Sequence, residues 1–450
     1  MTNLVALTAC LLALSGAPAT DYAADVASLR KAGMLAGKSY EMLKRLTLLG
    51  PRLAGSIGAR KAVQLTHQLM TDYGFDNVRT EPVWVSHWER GKVENCAMIS
   101  KGGRMPLAVC ALGGSVGTPP AGIRGKVIEV QNFEELQKRK NEAAGKIVFF
   151  NRPMDPTHIN TFAAYGGSAD QRVHGATKAA AAGATAVLVR SLTMKADDVP
   201  HTGIMLYKTD RKIPAAALGL KSADRLSARL QEDPELEVYL KLSCRFEQPV
   251  ESYNVVGQLT GTSKPDEVIV LGGHLDAWDT GAGAHDDGAG CVQSIEALRL
   301  LKEVGLKPSR TIRAVMFMDE EFGGTGGRAY AKAEHRKGEQ HVAAIESDRG
   351  GFVPLGFTVK GDDKQVALVA QWLPALKEAG LHYVKEGYGG VDINPLAEQG
   401  TLTIGLDVDT QRYFDVHHSA NDTLESVHPR ELQLGAIAMA GLAWILSEEL

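Results

Sequence analysis

The pattern of apolar and polar positions changes twice along this chain. Residues 24–75 carry apolar positions at helical spacing, broken once at Leu49-Gly50-Pro51-Arg52-Leu53-Ala54-Gly55-Ser56. From about 95 to 247 the apolar runs shorten to strand length and are punctuated by glycine and proline. Gly125-Lys126-Val127-Ile128-Glu129-Val130 and Gly145-Lys146-Ile147-Val148-Phe149-Phe150 come first; an alanine-rich helix at 176–182 then leads into Ala186-Val187-Leu188-Val189, and Ile213-Pro214-Ala215-Ala216-Ala217 follows. This segment reads as a compact β-rich module of its own.

From 252 onward the pattern becomes strand, loop, helix, repeated. Residues 268–271, 312–318, 342–345 and 402–406 are apolar runs of strand length. Helical segments lie between them, such as 291–303 with Val292, Ile295 and Leu298 on one face. Such alternation predicts an α/β fold with a mostly parallel twisted sheet flanked by helices, whose ligands gather at the carboxyl ends of the strands. Three polar clusters occupy those ends: GGHLDAWDTGAGAHDDGAG at 272–290, Asp319-Glu320-Glu321, and Glu346-Ser347-Asp348.

Length and composition change this picture in three places. At 450 residues, 44% of them hydrophobic, the chain is long enough for more than one core, so two domains are expected. A net charge of −4 with scattered basic residues gives no electrostatic footprint for nucleic acid or an anionic membrane. The apolar run at 4–14 and Ala17-Pro18-Ala19 read as a signal peptide over 1–19, so the protein is expected to be secreted or periplasmic. No positive charge precedes Arg30, however, and Leu7-Thr8-Ala9-Cys10 offers a lipoprotein processing box instead. No run reaches membrane-spanning length. Cys96, Cys110, Cys244 and Cys291 contain no C-x-x-C and read as buried thiols with at most one bridge.

Carboxylates gathered at neighbouring strand ends repel one another unless cations hold them. Histidine with Asp and Glu oxygens, and no thiolate, suits zinc in an open catalytic site, with manganese or cobalt as alternatives. A competing signal, Gly113-Gly114-Ser115-Val116-Gly117, fits the nucleophile elbow of a serine hydrolase. Thr118-Pro119-Pro120 follows it where an elbow needs a helix, which argues against that chemistry.

His274-Leu275-Asp276, Gly283-Ala284-His285-Asp286-Asp287, Asp319-Glu320-Glu321, Asp348 and Tyr413-Phe414-Asp415-Val416-His417-His418-Ser419-Ala420-Asn421-Asp422-Thr423 together resemble the ordered motifs of the co-catalytic zinc aminopeptidase and glutamate carboxypeptidase family. Trp278-Asp279, Pro200-His201-Thr202-Gly203 and His417-His418-Ser419 mark one branch of it. The resemblance implies two zinc ions per chain, one on His274 and Asp348, the other on Glu321 and His418, with Asp286 bridging. It also implies Glu320 as general base and Tyr388 as hydrogen-bond donor to the developing oxyanion. Asp276, two residues after His274 on an extended strand end, is read as the acceptor that fixes that histidine's tautomer. A cis peptide bond between Asp286 and Asp287 belongs to the same pattern.

His285 and His417 are expected to point away from the metals, Asp287 and Asp422 to serve as hydrogen-bonding supports, and His201 and Tyr207 to belong to a structural loop, with a lid that reaches the site as the alternative. The resemblance makes 95–247 a protease-associated insert between peptidase segments 20–94 and 248–450. It implies a peptide substrate, dipeptides or short peptides, and a homodimer. An aminopeptidase on longer peptides, a one-zinc glutaminyl cyclase and a metal-free receptor-like binding protein stand as the alternatives.

Overall fold

The computed structural model describes residues 21–100 and 103–450, so the expected leader at 1–19 lies outside the described residues. The principal sheet has eight strands in the order Asp76–Val85, Val250–Leu259, Arg310–Phe317, Lys264–His274, Gln340–Glu346, Leu402–Val408, Pro354–Lys360, Tyr383–Glu386. Its four central strands, from Arg310–Phe317 to Leu402–Val408, run parallel. Antiparallel neighbours flank them on both sides. Both faces of the centre are covered, which is why the runs at 268–274 and 310–317 are buried without alternation.

One face carries the larger core. The helices Ala289–Glu303 and Pro429–Glu449 pack there, joined by the amino-terminal helices Ala23–Ala36, Ser39–Thr47 and Ile57–Asp72. A smaller core on the other face joins Val256, Val268, Val270, Val315 and Phe317 to Tyr330, Ile393 and Leu396. The parallel register pairs His274 with Phe317 and Gly272 with Glu346, so the three strand ends finish level. That register brings the three polar clusters of the sequence to one rim.

A second eight-stranded sheet spans Glu94 to Leu242, with a parallel centre of Ile123–Val130, Ile147–Phe150, Ala186–Arg190 and Ala215–Leu218. This module holds more helix than its short apolar runs suggest. Leu220–Glu232 buries Leu220, Ala223 and Leu226 along one face, and Ala169–Ala181 buries Ala176, Ala179 and Ala180. Cys96, Cys110, Cys244 and Cys291 are all free and buried. Among the described residues no helix is long and apolar enough to cross a membrane.

Candidate metal centre

Five side chains from four loops meet at the rim. His274 Nε2 stands 3.2 Å from Asp286 Oδ1 and 3.4 Å from Asp348 Oδ1. His418 Nε2 stands 3.3 Å from Asp286 Oδ2 and 3.2 Å from Glu321 Oε2. Asp286 therefore turns one oxygen to each histidine–carboxylate pair. Donor atoms sharing one tetrahedral zinc, each about 2.0–2.1 Å from it, stand about 3.3 Å apart, so the spacing fits the metal. Asp286 Oδ2 and Glu321 Oε1 are buried with no hydrogen-bond partner, as oxygens reserved for a cation would be.

Electrostatics agree. Burial raises the carboxyls of Glu320 and Glu321 well above the usual range, with further contributions from Asp348 and Asp276 at Glu320 and from Asp286 at Glu321. Burial raises Asp348 too. It works against ionisation of Asp286 as well, but the His274 hydrogen bond and the His418 and His417 charges outweigh it and hold this carboxylate low. A cluster in which several acids resist ionisation together is stabilised in its charged form by cations.

Local backbone geometry aims these groups. The Asp286–Asp287 peptide bond is cis, as the resemblance implied. Asp287 accepts the main-chain N–H groups of His274 (3.1 Å) and Gly290 (2.9 Å), while Asp422 accepts those of His285 (2.7 Å) and Asp286 (3.0 Å). Both aspartates thus act as the expected supports. Asp319 takes a positive φ of 73°, turning the chain so that Glu320 and Glu321 leave in different directions. His418 is also left-handed, at φ 58°; the Thr202 N–H (2.9 Å) and the Thr280 hydroxyl (3.3 Å) both hold its carbonyl.

Asp276 departs from its expected role in detail. Its main-chain carbonyl, not its carboxylate, receives His274 Nδ1 at 3.0 Å; the nearer carboxylate oxygen lies 3.9 Å away. The carboxylate instead accepts the N–H groups of Asp319 (2.8 Å), Glu320 (3.2 Å) and Glu321 (3.4 Å). One residue therefore orients a histidine and shapes the turn that carries both glutamates.

His285 stacks on Phe352 at 4.2 Å, with Nε2 on the Ser426 carbonyl and Nδ1 accepting from Gly351 N–H, so neither ring nitrogen faces the cluster. His417 is closer than expected: its ring stacks on His418 at 3.5 Å and Nε2 lies 3.9 Å from Asp286 Oδ2. Tyr388 is half-exposed and lines, with Asp348 and Phe162, a cavity of about 690 Å³. Burial, then Glu346, Glu320 and Asp348, raises its hydroxyl far above the ordinary phenol value, keeping it a donor. Ser115 is fully buried and its hydroxyl accepts the Ala215 N–H at 2.9 Å, a structural place rather than a nucleophile's.

Two supports go beyond what the sequence reading assigned. Arg52, fully buried in the helix break at 49–56, donates to the carbonyls of Leu275 (3.0 Å), Ala282 and Gly283 (2.9 Å), the loop that joins His274 to Asp286. The second module reaches the centre through His201, whose Nδ1 donates to the His417 carbonyl at 2.7 Å. Tyr207 stays structural, its hydroxyl donating to the Ile213 carbonyl at 2.6 Å.

Comparison with known proteins agrees with this geometry. The sequence pattern of Peptidase family M28 matches residues 254–443, a span that contains all five side chains of the cluster. Carboxypeptidase Q from Bos taurus is 35% identical over 430 residues, covering 95% of this chain and 89% of that one, and the Homo sapiens protein gives the same figures. The crystal structure of a Peptidase M28 precursor from Shewanella amazonensis superimposes with a TM-score of 0.90 at 33% identity, covering 95% of this chain and 97% of that one. A zinc aminopeptidase from Bacillus subtilis shares the fold, with a TM-score of 0.67 at 20% identity over 91% of this chain and 94% of its own. With relatives this similar along nearly their whole length, and the family pattern spanning the rim where the cluster forms, the chain belongs to peptidase family M28.

Proposed function

We propose that this chain is a zinc-dependent exopeptidase that binds two zinc ions and hydrolyses dipeptides or short peptides. The observation that carries the reading is the division of Asp286, one oxygen toward His274 and Asp348 and the other toward His418 and Glu321. These five residues would hold the metals. Bound there, zinc ions lower the pKa of water and polarise a carbonyl oxygen.

The chain's own groups do the rest. Glu320, beside Glu321 but turned away from it, takes the proton of the attacking water and returns it to the leaving amine. Tyr388 donates a hydrogen bond from its hydroxyl to the oxygen on which charge develops. Asp276 keeps Glu320 in reach through the main-chain bonds to the turn. Residues 95–247 serve as a protease-associated insert, and the protein is an exported homodimer; the apolar run at 4–14 supports export, and the family resemblance supports the insert and the dimer.

The test is a panel of dipeptides with free and blocked termini, run alongside elemental analysis of the purified protein. Hydrolysis is expected only with metal present and at least one terminus free. Full turnover after chelation to metal-free protein overturns the reading.

A further inference from the structure

The histidines and carboxylates of the centre are not all held in the same way. His274 ends the strand Lys264–His274 and Asp348 closely follows Gln340–Glu346, so the principal sheet carries both. Glu321 rides on the turn that Asp276 braces. His418 lies in a loop well beyond the end of the strand Leu402–Val408, and its backbone is left-handed. A residue with a Cβ keeps that conformation only where its surroundings enforce it.

Two donors on the His418 carbonyl supply the enforcement: the Thr202 N–H, from the second module, and the Thr280 hydroxyl, from the loop after His274. Arg90 joins these two. It lies between the strands Trp88–Glu89 and Glu94–Ser100, where the chain enters the second module, and its side chain is 10% exposed. Nε and Nη2 grip the Asp279 carboxylate at 2.9 and 2.6 Å, fixing the residue next to Thr280. Nη2 also donates to the Thr202 hydroxyl at 3.3 Å. Nη1 donates to Glu94 at 3.1 Å and to the Ala111 carbonyl, which the same Thr202 hydroxyl reaches at 2.9 Å. Trp278, beside Asp279, packs into the core of the second module, where a Cβ on Gly113 would stand 1.8 Å from its ring. The centre of that ring lies 5.7 Å from the centre of the His418 ring.

We propose that Arg90 is a positioning residue for His418: it yokes Thr202 to Asp279 and Thr280, and through them fixes the turn that presents His418 Nε2 to Glu321 and Asp286. One of the two zinc ions is thereby held through the second module, and the one at His274 and Asp348 is not. A guanidinium's five donors can serve a carboxylate, a carbonyl and a hydroxyl at once, whereas a lysine ammonium has three on a single nitrogen. The inference rests on the two-zinc reading above and adds what keeps one of its ligands in place.

The test is a calorimetric zinc titration of the metal-free full chain. Arg90→Met should bind one zinc as wild type does and the other about 10–100-fold more weakly, the usual effect of removing a partner behind a ligand. Arg90→Lys should fall between. Arg310→Met, which removes a buried arginine paired with Glu267 at the opposite end of the sheet, should lower stability and leave both affinities alone. Unchanged zinc binding in Arg90→Met overturns the proposal, as does equal weakening of both metals or the same loss in Arg310→Met. Should Arg90→Met fail to fold, Thr202→Val, which removes the hydroxyl that Arg90 holds, carries the test: a weakened single zinc supports the proposal and unchanged binding overturns it. A crystal structure of the metal-free variant reads the geometry without zinc. His418 out of its left-handed conformation, with Nε2 drawn away from Glu321, supports the proposal even where wild-type protein binds a single zinc, a result that defeats the two-zinc reading alone. An unmoved His418 overturns it.

Discussion

Arg52→Met removes three hydrogen bonds from the loop that carries the chain between His274 and Asp286. Methionine fills the same slender volume but donates nothing, so the carbonyls of Leu275, Ala282 and Gly283 lose their partner where water does not reach. Hydrogen bonds from a charged donor contribute about 1.5–3 kcal/mol each, which gives a gross loss of roughly 5–9 kcal/mol. Part is recovered, because burial holds Arg52 below its ordinary pKa and that desolvation cost disappears with the charge. A net loss of about 3–5 kcal/mol is expected in urea unfolding of the metal-free protein. Zinc binding should weaken in parallel, since His274 and Asp286 keep their spacing through this loop. A loss under about 1 kcal/mol with zinc affinity intact would refute the claim that Arg52 braces the centre.

Elemental analysis checks the shared ligand: Asp286→Ala should loosen both zinc ions and His418→Ala only one, and two tightly held metals in Asp286→Ala would move the bridge elsewhere. The paired glutamates should separate by titration. Glu320→Gln is expected to keep zinc and substrate affinity while turnover falls by roughly 10²–10⁴, whereas Glu321→Gln should regain activity in excess zinc; rescue of the first and not the second reverses the roles. Acid sensitivity follows from His201, whose pKa burial lowers to about 4. Its unfolded value is about 6.5, so the neutral ring stabilises the fold above that pH, and roughly 3 kcal/mol is lost as pH falls from about 6.5 to 4. Melting of metal-free His201→Asn between pH 7.5 and 4.5 should show a smaller drop than wild type; equal drops would exclude His201 as the source.

The parts of this molecule legible in its sequence are those where one residue type has one use. A strand buried on both faces must be apolar throughout, so the runs at 268–271, 312–318, 342–345 and 402–406 announced the parallel centre, and the carboxylates that follow them could share a rim only around cations. The helix Leu220–Glu232 escaped although Leu220, Ala223 and Leu226 recur at clear helical spacing, because it is set among short apolar runs punctuated by glycine and proline that dominate the pattern of this module. Asp276 was legible as a support for His274, but i to i+2 spacing places carbonyl and carboxylate almost equally near the ring, and only the fold sends the carboxylate to the turn at 319–321.

Arg52, His201 and the loop at 200–203 were harder for a further reason. Their acceptors are main-chain carbonyls more than two hundred residues away, at Leu275, Ala282, His417 and His418. Every residue carries a carbonyl, so no side-chain pattern marks which of them needs a donor. What the sequence does offer is the mismatch on the donor's side: an arginine inside a glycine–proline break, or a histidine followed by a small residue and a glycine, sits where neither helix nor strand packing calls for it.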